Sequence, residues 1–413
     1  MLYSVEFLDY KKGTKSTMEN YIKPSFSGVM LNVTDACNLR CRYCFVEKHP
    51  HYMALDTAKD VLKLLVEINK DNPKSYKHVN FFGGEPTLMW DELIVPLVEF
   101  SKEEFGDQEI HFGMTSNGIL LNESRLKWMA DNGVSLLFSM DGDKEVQDYN
   151  RPSIDGKGSF DLLGETIMLI PKYLPNTTYR GTIIPKTCDK LFQGITFASA
   201  CGYKSCFFCP NEFETWTEED CSKLAAEVRK YTMYFIDSFR RNERPMLFSP
   251  FAKAYKEIVT HNDCIKKNEY LSRNCTMCGL GSGTVSINYE GKIFGCQELP
   301  SRGCENNLYY LGDIYNGIDL DRKNNLLNRY TSEKVTCEKP SYCIACPRYK
   351  FCQSVHCHAN SYLLYGNTGT KSYIRCFWDR IMFTEATTAM QILSANKNEE
   401  FAKYFNEQVG RSC

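Results

Sequence analysis

Short apolar runs alternate with helical stripes through the first half of the chain. Residues 29–33 form an apolar run of strand length. Over residues 56–69, Ala58, Val61, Leu62, Leu65 and Ile68 recur on one helical face, and Asp56 is the predicted N-cap. Further strands are predicted at 79–82, 110–114, 134–140, 178–184 and 204–208. Further helices are predicted at 93–105, 123–130, 160–170 and 192–200. This alternation predicts a parallel sheet with helices outside it. About six β/α units are too few to close an eight-stranded barrel. The predicted fold is therefore α/β, an open partial (β/α)6 TIM-like barrel over residues 25–240.

The pattern changes on both sides of that barrel. Residues 1–24 are polar and too few for a separate domain. Residues 217–258 read as helical, with Leu224, Val228, Tyr231, Tyr234 and Phe235 in a stripe that Arg244-Pro245 ends. Residues 241–270 are predicted as a helical bridge. In 271–413, β-like pieces at 284–288 and 292–295 sit among glycines and cysteines, and helical periodicity is weak until 377–393. Such a region would bury little apolar surface, so bound metal clusters are expected to stabilise it.

Composition narrows the partners. A net charge of −2 over 413 residues makes no electrostatic case for nucleic acid or an anionic membrane. No apolar run reaches the ~18 residues of a membrane span. Residues 1–12 lack the basic start and apolar core of a signal peptide. A cytoplasmic protein without nucleic-acid or membrane partners is expected. Twenty cysteines are far above ordinary use. Without an export signal they point to metal rather than disulfides, and to an anaerobic setting. Three fall at 37–44 and ten run from Cys275 to Cys376.

The first three form Cys37-x3-Cys41-x2-Cys44. Three thiolates would hold three irons of a [4Fe–4S] cluster and leave the fourth open to another ligand. Tyr43 and Phe45 would shield the cluster from water. Zinc also binds thiolates, but usually through two C-x2-C halves, which this loop lacks. In a β/α barrel, chemistry collects where strands end. Gly83-Gly84-Glu85-Pro86 follows the second strand; its glycines allow close backbone approach and Glu85 suits an amino group. Thr115-Ser116-Asn117-Gly118 follows the third. Ser139-Met140-Asp141-Gly142 and then Arg151 follow the fourth, offering a hydroxyl and a guanidinium to a carboxylate.

In this order, these motifs resemble the radical S-adenosylmethionine (SAM) superfamily. The resemblance implies that SAM occupies the open iron and that reduction of the cluster cleaves it to a 5′-deoxyadenosyl radical. It assigns Gly83, Gly84 and Glu85 to the amino group of SAM, and Ser139 and Arg151 to its carboxylate and ribose. Ser116 and Asn117 are further candidates. Residues 156–160, Gly-Lys-Gly-Ser-Phe, resemble the subgroup that modifies peptides and proteins.

Cys278-x12-Gly291-x4-Cys296 and Cys343-x2-Cys346-x5-Cys352, with Cys357 and Cys376, resemble the SPASM extension of peptide maturases. That extension holds two auxiliary [4Fe–4S] clusters, giving three in all. By resemblance, Cys343, Cys346, Cys352 and Cys376 hold the outer one. Cys278, Cys296 and Cys357 hold the inner one, with Cys275 or Cys264 as fourth ligand, or an open iron able to take a substrate thiolate. Four residues separate Cys352 from Cys357 where the family usually has three, and His356 is an alternative ligand to Cys357. Cys188, Cys201, Cys206, Cys209, Cys221, Cys304, Cys337 and Cys413 fit no ligand pattern and are expected as ordinary buried thiols.

The resemblance implies an enzyme that acts on a precursor peptide, expected to contain cysteine, with electrons from a flavodoxin- or ferredoxin-type donor. The leading expectation is a maturase installing a thioether or carbon–carbon crosslink. The alternative is an anaerobic sulfatase maturase that forms formylglycine. Sulfatase maturases carry an Asp directly after the cysteine matching Cys296. Here Gln297 and Glu298 follow, and Glu298 is the nearby candidate base. The 36 residues ahead of Cys37 are too few for the winged-helix segment of many crosslinking maturases. Leader recognition is then expected from the barrel surface or a separate protein. An electron carrier without catalysis would need neither an open-iron loop nor a Gly-Gly-Glu motif.

Overall fold

The computed structural model describes residues 21–22, 26–72, 75–106, 108–267, 283–304, 306–336, 357–368 and 370–410. The described strands are β1 (Tyr21–Ile22), β2 (Gly28–Thr34), β3 (Lys77–Gly83), β4 (Ile110–Ser116), β5 (Ser135–Ser139) and β6 (Thr178–Ile183). They continue with β7 (Ser205–Pro210), β8 (Leu247–Phe248), β9 (Thr284–Ile287), β10 (Lys292–Phe294), β11 (Tyr310–Asp313) and β12 (Gly317–Asp319). The chain divides into two compact units. One is drawn from Met1–Cys37, Val46–Gly113 and Thr276–Ser332. The other is drawn from Asn38–Phe45, Met114–Cys275 and Glu333–Cys413.

In the first unit, β2 pairs in parallel with β3 on one side and with β9 on the other. From β9 the chain continues as an antiparallel meander through β10, β11 and β12, with β1 against β12. Val29, Leu31 and Val33 of β2 are fully buried, as are Val79 and Phe81 of β3, which explains why these runs are apolar. The helix Leu55–Ile68 buries Ala58, Val61, Leu62 and Leu65, the predicted stripe. Its N-cap is Ala54, not Asp56. The cap falls two residues earlier than expected, so Asp56 lies in the first turn, where a carboxylate favours the positive end of the helix dipole.

In the second unit, β5, β6, β7 and β8 are parallel neighbours. Tyr179, Gly181 and Phe208 face the helices. Tyr203 Oη donates to the Ile167 carbonyl of the helix Thr166–Tyr173, and the Phe208 ring lies against Gly194 of the helix Leu191–Ala200. The predicted helix at 160–170 is two pieces, Phe160–Leu163 and Thr166–Tyr173, broken at Gly164 with φ +48°. The predicted stretch at 217–258 is also divided. Helix Glu218–Arg240 starts from a capping box, with Thr217 and Asp220 bonded reciprocally. It stops before Asn242, whose φ is +57°, and the chain then forms β8 and the helix Ser249–Lys267. Tyr231, Phe235, Phe251, Tyr255, Phe401 and Tyr404 pack in tilted and edge-to-face pairs where these helices meet the helix Glu399–Gly410.

The C-terminal third is more helical than its pattern suggests. Helix Leu320–Thr336 lies where weak periodicity gave no helix. Its sequence is largely polar, with Leu326 buried, and Asp319 starts it by accepting from the Asp321 and Arg322 amides at 2.9 and 3.1 Å. Helices His358–Tyr365 and Tyr373–Ala395 follow. Among the described residues, no helix is long and apolar enough to cross a membrane.

Candidate active site

The loop that carries Cys41 and Cys44 is strapped onto a segment more than a hundred residues away. The Arg40 amide donates to the Pro152 carbonyl at 2.7 Å and the Arg42 amide to the Asn150 carbonyl at 3.0 Å. Leu39 makes a bridge with Ser153. The Arg42 guanidinium donates to the Tyr149 carbonyl at 2.8 Å and lies 4.4 Å from the Tyr149 ring centre. On another side, Asn117 Nδ2 donates to Asn38 Oδ1 at 2.8 Å, while Ser116 Oγ accepts from the Gly118 amide.

Tyr43, between the second and third cysteines, leads to a buried hub. Its Oη donates to Asp141 Oδ2 at 2.5 Å. Asp141 also accepts from Asn150 Nδ2 at 3.0 Å, Arg151 Nη2 at 2.9 Å and the Thr182 amide at 2.8 Å. Its carboxylate is fully buried and Arg151 nearly so. The Arg151 guanidinium lies 5.4 Å from the Tyr43 ring centre. Burial opposes the charge on Arg151, but Asp141 outweighs it and holds its pKa well above the usual value. Arg151 Nε is buried without a hydrogen-bond partner among the described residues. Asp141 and Tyr43 in these roles escaped the sequence reading, since Ser-Met-Asp-Gly looks like any polar turn. Ser139 ends β5 and is half-exposed.

In the first unit, the Gly-Gly-Glu motif is a close approach of two backbones. The Gly84 amide donates to the Thr34 carbonyl at 2.7 Å and the Glu85 amide to the Ala36 carbonyl at 2.8 Å. A Cβ on Gly84 would sit 2.0 Å from the Ala36 oxygen, and Gly83 has φ +123°. The glycines thus hold the strand of chain that enters Cys37. Glu85 is buried, and its Oε1 accepts from the Thr87 amide and hydroxyl at 3.1 and 2.5 Å. Asp35, also buried, takes His51 Nδ1 at 3.2 Å, and the His51 ring stacks on Tyr289 at 4.4 Å. Burial pushes the Asp35 carboxyl up, partly offset by His51.

Thiolates are the ligand type that iron–sulfur clusters take, and Cys37, Cys41 and Cys44 supply three of them within eight residues. Cys37 and Cys41 are half-exposed and Cys44 is exposed, whereas Cys188, Cys201, Cys206 and Cys221 are buried. The model of the radical SAM superfamily matches residues 31–194. A cysteine-type anaerobic sulfatase-maturating enzyme of Clostridium perfringens is 31% identical over 282 residues, 67% of this chain and 73% of that protein. The chain belongs to the radical SAM superfamily. Two solved structures give the fold of this radical SAM protein. The structure titled native anSMEcpe with bound AdoMet and Cp18Cys peptide has a TM-score of 0.68 at 17% identity, covering 89% of this chain and 99% of that one. Streptococcus suis SuiB bound to precursor peptide SuiA has a TM-score of 0.58 at 15% identity, covering 86% and 77%. The fold is the α/β partial barrel of radical SAM enzymes, with a C-terminal region consistent with a SPASM-like extension. Membership brings one [4Fe–4S] cluster and SAM as cofactors.

Among the cysteines expected to bind auxiliary clusters in this radical SAM protein, Cys275, Cys278, Cys343, Cys346 and Cys352 lie outside the described residues, as do Cys337 and His356. Cys264 lies on the helix Ser249–Lys267. Cys296 follows β10 and is half-exposed. Cys357 caps the helix His358–Tyr365, its Sγ accepting from the Asn360 amide at 3.5 Å, and Cys376 lies in the first turns of Tyr373–Ala395. Glu212 ties these helix starts together, accepting from Asn360 Nδ2 at 3.2 Å and from Ser372 Oγ. Arg375 is held charged against its burial chiefly by Asp379 and then Glu212. Of the unassigned thiols, Cys209 and Cys304 are half-exposed rather than buried. Glu298 sits half-buried in the turn after Cys296 with Oε2 closed off from solvent, so it is not a plain surface carboxylate.

Proposed function

We propose that this protein modifies a cysteine-containing peptide by radical SAM chemistry. The observation that carries this reading is the Cys37-x3-Cys41-x2-Cys44 spacing in a chain of this superfamily, with Arg40, Arg42 and Tyr43 of that loop held by the 149–153 segment and Asp141. In the proposed arrangement these three thiolates hold the cluster. Gly83, Gly84 and Glu85 receive the amino group of SAM, Ser139 and Arg151 its carboxylate and ribose, and Ser116 and Asn117 are further SAM contacts. The buried Arg151 Nε supports an anionic ligand there. When bound, cluster and SAM would supply a 5′-deoxyadenosyl radical to abstract hydrogen from the substrate.

The proposal extends to two auxiliary [4Fe–4S] clusters in residues 271–413. Cys343, Cys346, Cys352 and Cys376 form one set; Cys278, Cys296 and Cys357, with Cys275 or Cys264, form the other. The barrel would span 25–240, with 241–270 as the bridge. Glu298 is the proposed base, and a flavodoxin- or ferredoxin-type protein the proposed donor. The preferred product is a thioether or carbon–carbon crosslink, because Gln297, which cannot act as a base, stands where sulfatase maturases carry Asp. The second reading, formylglycine formation on a sulfatase, is favoured by the 31% identity to the cysteine-type maturase.

The two are separated by offering the reconstituted enzyme a sulfatase-motif peptide and a cysteine-rich precursor peptide side by side. Loss of two hydrogens from the precursor, with one cysteine no longer alkylated, is the expected result. Formylglycine on the sulfatase peptide with an untouched precursor would establish the second reading instead.

A further inference from the structure

The inner face of the sheet formed by β5, β6 and β7 carries a cation that the cofactor contacts proposed above do not use. Side chains alternate faces along a strand. Tyr179, Gly181, Ile183, Cys206, Phe208 and Pro210 are buried on one face, while Thr178, Arg180, Thr182, Ser205, Phe207 and Cys209 are half-exposed on the other. The buried face is the helix side, as the contacts of Phe208 with Gly194 establish. Arg180 therefore points to the face opposite the helix Leu191–Ala200.

Its neighbours are fixed by register. Ser139 pairs with Arg180, and Arg180 pairs with Phe207, so the three residues form a row across β5, β6 and β7. The Arg180 guanidinium lies 5.4 Å from the Phe207 ring centre, which holds the side chain along the sheet. Arg180 has no ion pair and no side-chain hydrogen bond among the described residues, in contrast to Arg151, which is paired with Asp141. A half-buried guanidinium with an aromatic support and no acid is arranged to accept a carboxylate in a fork-like contact. SAM brings one carboxylate, and Ser139 with Arg151 accounts for it.

We infer that Arg180 is a specificity-determining residue that binds an acidic side chain of the peptide substrate, close to the residue that is modified. The inference rests on the peptide-modifying reading proposed above. The enzyme would then prefer peptides with Asp or Glu near the reactive cysteine over peptides with a neutral residue at that place. Because the row begins at Ser139, the acid would lie next to the cofactor rather than in a remote leader.

The test uses the reconstituted holoenzyme with SAM. The probes are short cysteine-containing peptides carrying one Asp at successive places around the cysteine, each with an Asn twin. Binding is read by fluorescence anisotropy and turnover by modified peptide and 5′-deoxyadenosine. SAM affinity is measured separately by calorimetry. At one place the Asp peptide is expected to bind at least about tenfold more tightly than its twin, a margin of ~1.4 kcal/mol. Arg180→Gln should remove that preference with SAM affinity within about twofold of wild type, and Arg180→Lys should restore part of it. Modification of both twins without preference at any place would overturn the inference and leave the peptide reading standing. So would a preference that survives in Arg180→Gln, or a matching loss of SAM affinity, which would move Arg180 to the carboxylate of SAM. If peptides of neither charge bind or are modified, the peptide reading fails and the inference with it.

Discussion

Asp141→Asn is the most informative single substitution. Asp141 Oδ1 accepts from Arg151 and the Thr182 amide, and Oδ2 from Tyr43 and Asn150. All four donate to the carboxylate, and only the Tyr43 hydroxyl could accept instead. An asparagine has the same shape, but whichever way its amide turns, an NH2 group faces at least one group that can only donate. It also leaves the Arg151 guanidinium, almost entirely withdrawn from water, without its counter-charge. Removing one member of a buried pair costs about 3–5 kcal/mol, and the broken contact to Tyr43 adds to that loss. Urea unfolding of the reconstituted protein should therefore show a loss of about 3 kcal/mol or more, with iron occupancy reduced because Tyr43 no longer anchors the loop between Cys41 and Cys44. Asp141→Asn combined with Arg151→Met removes the orphaned charge and should recover part of the loss in stability. A single variant within about 1 kcal/mol of wild type would refute the buried-hub argument, and so would a double variant whose loss is the sum of the two single losses.

Gly84→Ala should displace the chain that enters Cys37 and lower iron occupancy, because its Cβ would meet the Ala36 oxygen at 2.0 Å; Gly283→Ala, with open space around it, is the control that should not. Thr217→Ala should cost about 1 kcal/mol by removing the cap of Glu218–Arg240, measured as a lower unfolding midpoint. Burial raises the Cys188 thiol from 9.0 to about 12. Its contribution to stability is present below its unfolded pKa and lost as pH rises through about 12. Alkylation of cluster-free folded protein near neutral pH should thus spare Cys188 while labelling exposed Cys44, and equal rates for the two would contradict the burial argument.

The strands were legible because β2 and β3 bury alternate apolar residues, Val29, Leu31 and Val33 in one and Val79 and Phe81 in the other. The helix Leu55–Ile68 was legible because it buries a complete stripe. Helix Leu320–Thr336 was not, since a mostly polar helix leaves little apolar periodicity. The cysteine loop and the Gly-Gly-Glu motif declare themselves locally, through spacing and through the need for glycine where two backbones touch. The Asp141 hub depends on contacts such as Tyr43 to Asp141 across 98 positions, which no local pattern encodes. Arg180 became visible only through register, because its meaning lies in standing beside Ser139 and Phe207 rather than in its own segment.

Cys37, Cys41 and Cys44 are the centre of the proposed active site. The decisive measurement compares iron content and SAM cleavage in reconstituted wild type and in Cys37→Ala/Cys41→Ala/Cys44→Ala. The variant is expected to lose about four irons per chain, the content of one [4Fe–4S] site, and all formation of 5′-deoxyadenosine, with any auxiliary iron retained. Undiminished cleavage of SAM by the triple variant would contradict the assignment of the active site.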